Sequence, residues 1–230
     1  MRVTKRVRRS SGGRRLRKAQ RPKRYHHGAL RHALVEAALW LVEKGGYQAL
    51  TLRAAARRAG VSQAAPYRHF KNKEALLAAV AEEGFRAMAA AMRHATASCG
   101  DRALERLQAV GLGYVGFATS HPSHFRVMFG REMADRSTYP TLREAAAKTS
   151  HMLVDAITDC QRAGVVRSGE PEELALACWA IVHGVAALLV DGQVARVLDK
   201  PGAELAEIVT RNLCLGLGPR PEKDPARSQP

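Results

Sequence analysis

Between Thr51 and Leu76 the chain sets short helical stretches on either side of a glycine turn, and few folds accommodate that. "TLRAAARRAG" carries Leu52, Ala55, Ala56 and Ala59 on one face and Arg53, Arg57 and Arg58 towards the outside. Thr51 is placed to cap this helix and Gly60 to stop it. The turn "AGVS" leads to Ser62, read as the N-cap of a third helix, "QAAPYRHF". "KNK" breaks the pattern, and Asn72 caps a fourth helix, "KEALLAAVAEEGFRAMAAAMRHA", with Glu74 in its first turn, where the helix dipole favours an acid. Upstream, "GALRHALVEAALWLVEKGG" repeats its apolar residues at i, i+3, i+4 and ends at Gly45 and Gly46. Two short helices joined by a turn containing glycine are the elements of a helix-turn-helix.

Pro66 complicates the third helix. Counted from Ser62, it occupies the fourth helical position, where its missing N–H would have bonded to the Ser62 carbonyl. It should also push Ala65 away from helical angles. The spacing therefore predicts a helix that begins late or with a distorted first turn.

The rest of the chain reads as helical too. Ala, Leu, Arg and Glu dominate, and no run of alternating β-branched residues is evident. An all-α fold is expected, with further helices at about 101–120, 122–130, 138–164, 171–190 and 202–216. Residues 1–24, rich in Arg, Ser and Gly, read as a disordered arm, and 219–230 as a disordered tail.

Charge separates the two ends. Of the formal net +16, residues 1–24 supply twelve Lys/Arg and no acid, and residues 25–80 eight against three acids. The remaining 150 residues are nearly neutral, with 17 bases against 18 acids. That asymmetry points to a polyanion at the N-terminal part, nucleic acid or a membrane surface. Within the third helix, Ala64 and Ala65 are small enough for close approach to base edges. Gln63 and Arg68 can each form paired hydrogen bonds to a base. Tyr67, His69 and Lys73 offer donors to phosphate, and Phe70 ties the helix to its core.

"TLRAAARRAGVSQAAPYRHFKNKEALL" resembles the DNA-binding signature of TetR-family regulators. The resemblance rests on Thr51-Leu52-Arg53, Ala56 and Gly60-Val61-Ser62, then on Tyr67, His69, Phe70, Lys73, Glu74 and Leu76 at fixed spacing. "HPSHFRVMFG" and "WAIVHGVAALLVDG" resemble a subgroup with a Trp-x-x-x-His-Gly motif, here Trp179, His183 and Gly184. The resemblance implies a three-helix DNA-binding unit at 25–80 and a larger helical effector-binding and dimerisation domain at 81–218. It implies phosphate contacts from Thr51, Arg53, Tyr67, His69 and Lys73, and base reading by Gln63, Ala64 and Arg68 beside the cap Ser62. At 64–66 the chain departs from the family: Ala-Ala-Pro stands where a Thr and a bulkier apolar residue are usual before the Tyr.

The expected partners are double-stranded DNA, a small-molecule effector and a second copy of the chain. Two recognition helices would then sit about 34 Å apart on a palindromic operator. The apolar run "LALACWAIVHGVAALLV", 174–190, interrupted by His183, falls short of the roughly 20 residues a membrane span needs. It reads as an interface helix, paired with 202–216 across a dimer. Phe117, Phe125, Met128, Phe129, Met152, Trp179 and His183 are the candidates for lining an effector pocket. The basic N-terminus lacks an apolar segment after it, so a secretory signal is not expected. Cys99, Cys160, Cys178 and Cys214 read as small core residues in a reducing, cytoplasmic compartment.

The histidine pairs His26–His27 and His121/His124 lack the further ligands of a metal site, and neither metal nor cofactor is expected. No phosphate-binding glycine loop, nucleophile elbow or zinc-protease motif occurs. The function expected is that of a sequence-specific repressor released by a ligand. A ligand-independent regulator or activator, a non-specific DNA-coating protein and a helical enzyme with a basic arm are the alternatives.

Overall fold

The computed structural model describes residues 27–133, 135–194 and 200–219. The basic arm 1–24, His26, and the tail beyond Pro219 lie outside the described residues. Among the described residues eight α-helices run in order: α1 His27–Ala49, α2 Leu52–Arg58, α3 Lys73–Thr96, α4 Ala103–Ser120, α5 Pro122–Phe129, α6 Pro140–Arg162, α7 Pro171–Val190 and α8 Gly202–Gly216. Two 3₁₀ turns, Pro66–Arg68 and Arg131–Met133, precede α3 and follow α5. Among the described residues there is no strand.

Local chemistry sets most boundaries. Thr51 is extended, and its Oγ1 accepts from Ala54 N at 3.0 Å. Asn72 is extended as well, and its Oδ1 accepts from Ala75 N at 2.9 Å. Each cap satisfies an amide that the helix leaves unbonded. Pro122, Pro140 and Pro171 open α5, α6 and α7, where a missing N–H costs nothing. In α1 the helical path breaks at Gly45 and Gly46, the latter at φ +65°, and Tyr47 begins a final turn.

One expected element is absent. Residues 63–65 form turns and only Pro66–Arg68 winds, as a single 3₁₀ turn, so "QAAPYRHF" is not an α-helix and Ser62 does not cap one. Ala65 N donates to the Ser62 carbonyl at 3.0 Å, an i→i+3 bond that takes the acceptor an α-helix would have offered to residue 66. Pro66 thus leaves that carbonyl satisfied. Nor does Pro66 force Ala65 out of the helical region, since Ala65 sits at φ −61°, ψ −42°. The segment winds with i→i+3 bonds, as a 3₁₀ turn does, and needs no amide hydrogen from residue 66.

α3 is the spine. Its first turns close a small core with α1 and α2, in which Leu34, Leu50, Leu76, Leu77 and Val80 are fully buried. Each such side chain contributes roughly 1.5–3 kcal/mol. Arg31 on α1 pairs with Glu83 on α3 at 3.3 Å, and the Arg58 guanidinium lies 4.4 Å from the Trp40 ring centroid, tying α2 to α1. The later turns of α3 pack against α4, α5 and α6, and α7 and α8 close over α4. The crossing of α3 and α4 is close because residue 113 is glycine: a Cβ there would lie 2.7 Å from Met92 Cα.

α7 is long and apolar enough, by length and composition, to cross a membrane, yet only a third of it is buried. Leu176, Ile181 and Leu188 on α7 and Leu215 on α8 are exposed. All four cysteines are buried and unpaired, as expected of core residues, and burial raises the thiol pKa values of Cys160, Cys178 and Cys214 to about 11.

Candidate nucleic-acid interface and internal cavity

α2 and the 62–73 segment present the expected cationic surface. Thr51, Arg53, Arg57, Arg58, Ser62, Gln63, Ala64, Tyr67, Arg68 and Lys71 are exposed, Tyr67 to 54 %. From residue 49 to residue 73 the sequence contains no acid. Among the described residues no carboxylate pairs with Arg53, Arg57, Arg68 or Lys71. Such a field is uncompensated and available to phosphates. Beneath it, Pro66 and Phe70 are buried and fix the turn to the core. His69 is half-buried, its ring 6.3 Å from that of Phe70.

Lys73 stands differently from the other cations. Its Nζ donates to the Tyr47 carbonyl, so the ammonium links the start of α3 to the end of α1. The Tyr47 hydroxyl in turn donates to the Arg126 carbonyl on α5 at 2.5 Å. Burial raises its pKa to about 12, with Glu132 adding to the rise and Arg126 opposing it. Sequence reasoning missed Tyr47, which follows two glycines and carries no motif.

A cavity of about 380 Å³ lies between α3, α4, α6, α7 and α8. Its walls are mostly apolar, among them Met88, Met92, Val110, Leu153 and Val182. Of the pocket candidates, Phe129 and Trp179 line it. Phe125 and His183 line an adjoining cleft instead, together with Tyr47, Arg126 and Phe129. Phe117, Met128 and Met152 line neither. Phe117 stacks on His121 at 4.9 Å, Met128 is fully buried near Gly84 and His124, and Met152 is half-buried against the core. Phe129 belongs to both linings.

A hydrogen-bonded chain runs along the same wall. Trp179 Nε1 donates to Tyr114 Oη at 3.3 Å, and Tyr114 Oη lies 2.7 Å from His183 Nδ1. Burial lowers the pKa of His183 and raises that of Tyr114, which favours the neutral form of both groups. Among the described residues no group of three or more His, Cys, Asp or Glu side chains could hold a metal ion.

Two models of a single family match the chain. The family of bacterial regulatory proteins of the tetR type matches residues 34–80, and a tetracyclin repressor-like C-terminal domain matches 107–213. The class C tetracycline repressor protein of Escherichia coli is 52 % identical over 52 residues, 23 % of this chain. The match spans 24 % of that repressor's length. A protein of unknown function from Rhodococcus sp. RHA1 shares 35 % identity over 85 % of this chain and 99 % of its own, at a TM-score of 0.73. The fold of PfmR, a TetR-family transcriptional regulator from Thermus thermophilus, is similar over 80 % of this chain and 98 % of its own, at 19 % identity and a TM-score of 0.64. With both its N-terminal unit and its helical C-terminal domain matched, the chain belongs to the TetR family of DNA-binding bacterial transcription regulators.

Proposed function

We propose that the chain is a homodimeric repressor that occupies a palindromic operator and leaves it when a small molecule enters the cavity. The observation that carries this reading is the position of Phe129. Its ring walls the cavity and also lines the cleft that holds Tyr47, whose carbonyl accepts from Lys73 beside the cationic surface. A ligand pressing on Phe129 would move α5 and, through the Arg126 carbonyl, Tyr47 and the DNA-binding unit. Release follows only if the ligand binds the released conformer better than the bound one.

On DNA, Thr51, Arg53, Tyr67, His69 and Lys73 would hold phosphates. Gln63, Ala64 and Arg68 would face base edges beside Ser62. A single 3₁₀ turn stands where a recognition helix was expected, and exposed Ala64 would offer little bulk against a groove floor. The DNA-binding unit is assigned to 25–80 and the effector and dimerisation domain to 81–218, with α3 running continuously through the division. The arm 1–24 would follow the backbone, and the tail 219–230 has no assigned role. The exposed apolar face of α7 and α8 supports a four-helix dimer interface rather than a membrane span. The protein would act in the cytoplasm, without catalysis.

Competition tests the proposal. Genomic fragments retained by the full chain should stay bound in a large excess of bulk competitor DNA. Loss of all fragments in proportion to competitor would mark a non-specific coating protein.

A further inference from the structure

The cavity contains one cation in an unusual state. Arg136, in the connection between Met133 and α6, lines the cavity and is half-buried. Its Nη2 donates to the Met128 carbonyl at 2.8 Å and its Nε to the Met133 carbonyl at 3.2 Å. The guanidinium lies 4.8 Å from the centroid of the Phe85 ring. Among the described residues no carboxylate pairs with it and Nη1 has no acceptor. Burial alone lowers its pKa, with no charged neighbour opposing the shift. A half-buried cation without a counter-ion keeps only part of its hydration, and an anion in the cavity would supply the missing charge.

Several other polar groups on the wall are already engaged, Ser150 with the Ala146 carbonyl and the Gln108 amide nitrogen with Thr210 among them. Thr149 and Thr210 donate to carbonyls of their own helices at 2.9 and 2.8 Å, and Tyr114 belongs to the Trp179–His183 chain. Glu172, which also lines the cavity, is exposed at the start of α7, where water screens it.

Building on the effector reading above, we infer that the cavity takes an amphipathic monocarboxylate, its carboxylate on Arg136 and its apolar body against Met88, Met92, Val110 and Leu153. A carboxylate would take the free Nη1 donors and a remaining Nη2 hydrogen in a forked pair. At roughly 30 Å³ per heavy atom, the volume of a water molecule, the cavity admits about a dozen heavy atoms.

Decanoate and its uncharged isostere decanamide serve as probes, titrated calorimetrically into the full chain at pH 7.5. Decanoate should bind about 10- to 100-fold more tightly, the range of one charge-assisted hydrogen-bonded pair. Arg136→Gln should bring the two within about threefold while decanamide binding persists. The wild-type comparison needs no variant, so a misfolded Arg136→Gln leaves it intact. Equal binding of the two probes, binding of neither, or a preference that survives in a folded Arg136→Gln protein would overturn the inference. Decanoate binding with the stated preference but without effect on DNA affinity would uphold it and count instead against ligand-driven release.

Discussion

Tyr47 joins two parts of the molecule through two different atoms: its hydroxyl donates to the Arg126 carbonyl on α5, and its carbonyl accepts from Lys73 at the start of α3. Residue 130, which follows α5, is glycine at this junction, and a Cβ there would overlap the Tyr47 hydroxyl. The end of α1 therefore meets α5 through a side chain with little room to adjust. Tyr47→Phe removes one hydrogen bond and keeps the ring. Its stability should fall by about 1 kcal/mol in urea denaturation. Operator affinity without ligand should change less than threefold, while the ligand-induced loss of affinity should shrink.

Two glycines on α4 predict opposite outcomes. Gly113 is buried, and an added methyl would meet the α3 backbone at Met92, which has no rotamer by which to yield. Gly113→Ala should destabilise by about 1–3 kcal/mol. Gly116 is exposed, with nothing within 4 Å of the added methyl. Gly116→Ala should stabilise by about 0.5–1 kcal/mol, the helix-propensity gain. The pair of urea midpoints checks both.

The cationic residues should divide by what they touch. Arg68→Ala should cost about 1–3 kcal/mol and relax the preference at one operator position. Arg53→Ala should weaken binding evenly across sequences and reduce the salt slope by about 1. Deleting 1–24 should act in the same even way but more strongly. If six of its twelve cations neutralise phosphates, the slope of log K against log salt would flatten by about 5. Titrations at several salt concentrations measure all three.

Acid should loosen the fold through two histidines. Burial lowers the pKa of His183, and that of His124 is lowered by burial and then by His121, against the opposing charge of Glu36. Each folded value lies below the ordinary 6.5, so the unfolded chain binds more protons between the two values. Their contribution is complete above pH 6.5 and is lost as pH falls through the depressed folded values. Urea midpoints from pH 8 to 5 should drop below about 6.5, and His124→Gln should flatten part of that drop.

Element boundaries were legible at Thr51, Asn72 and Pro171, where a cap or a proline decides them, but not at Ser62. Thr51 and Asn72 each accept from the third amide ahead, and Pro171 begins a helix that ends at Val190, as the apolar run implied. The 63–70 segment was not legible in the same way. Gln63, Ala64 and Ala65 favour helix, and the tighter turn is selected because Pro66 has no N–H to offer the Ser62 carbonyl, which the Ala65 amide takes instead. The cavity was legible only in part, because several packed helices decide which aromatic faces it. Phe129 and Trp179 line it, whereas Phe117 stacks on His121 instead. Arg136 sits in a stretch that reads as a break between helices, and no periodicity marks it.

Selection of bound sequences from random DNA by the full chain tests the central claim most directly. A homodimer reading DNA through Gln63, Ala64 and Arg68 should recover an inverted repeat whose half-sites lie about one helical turn, roughly 34 Å, or a multiple of it apart. Recovery of no motif, or of a single unrepeated site, would contradict it.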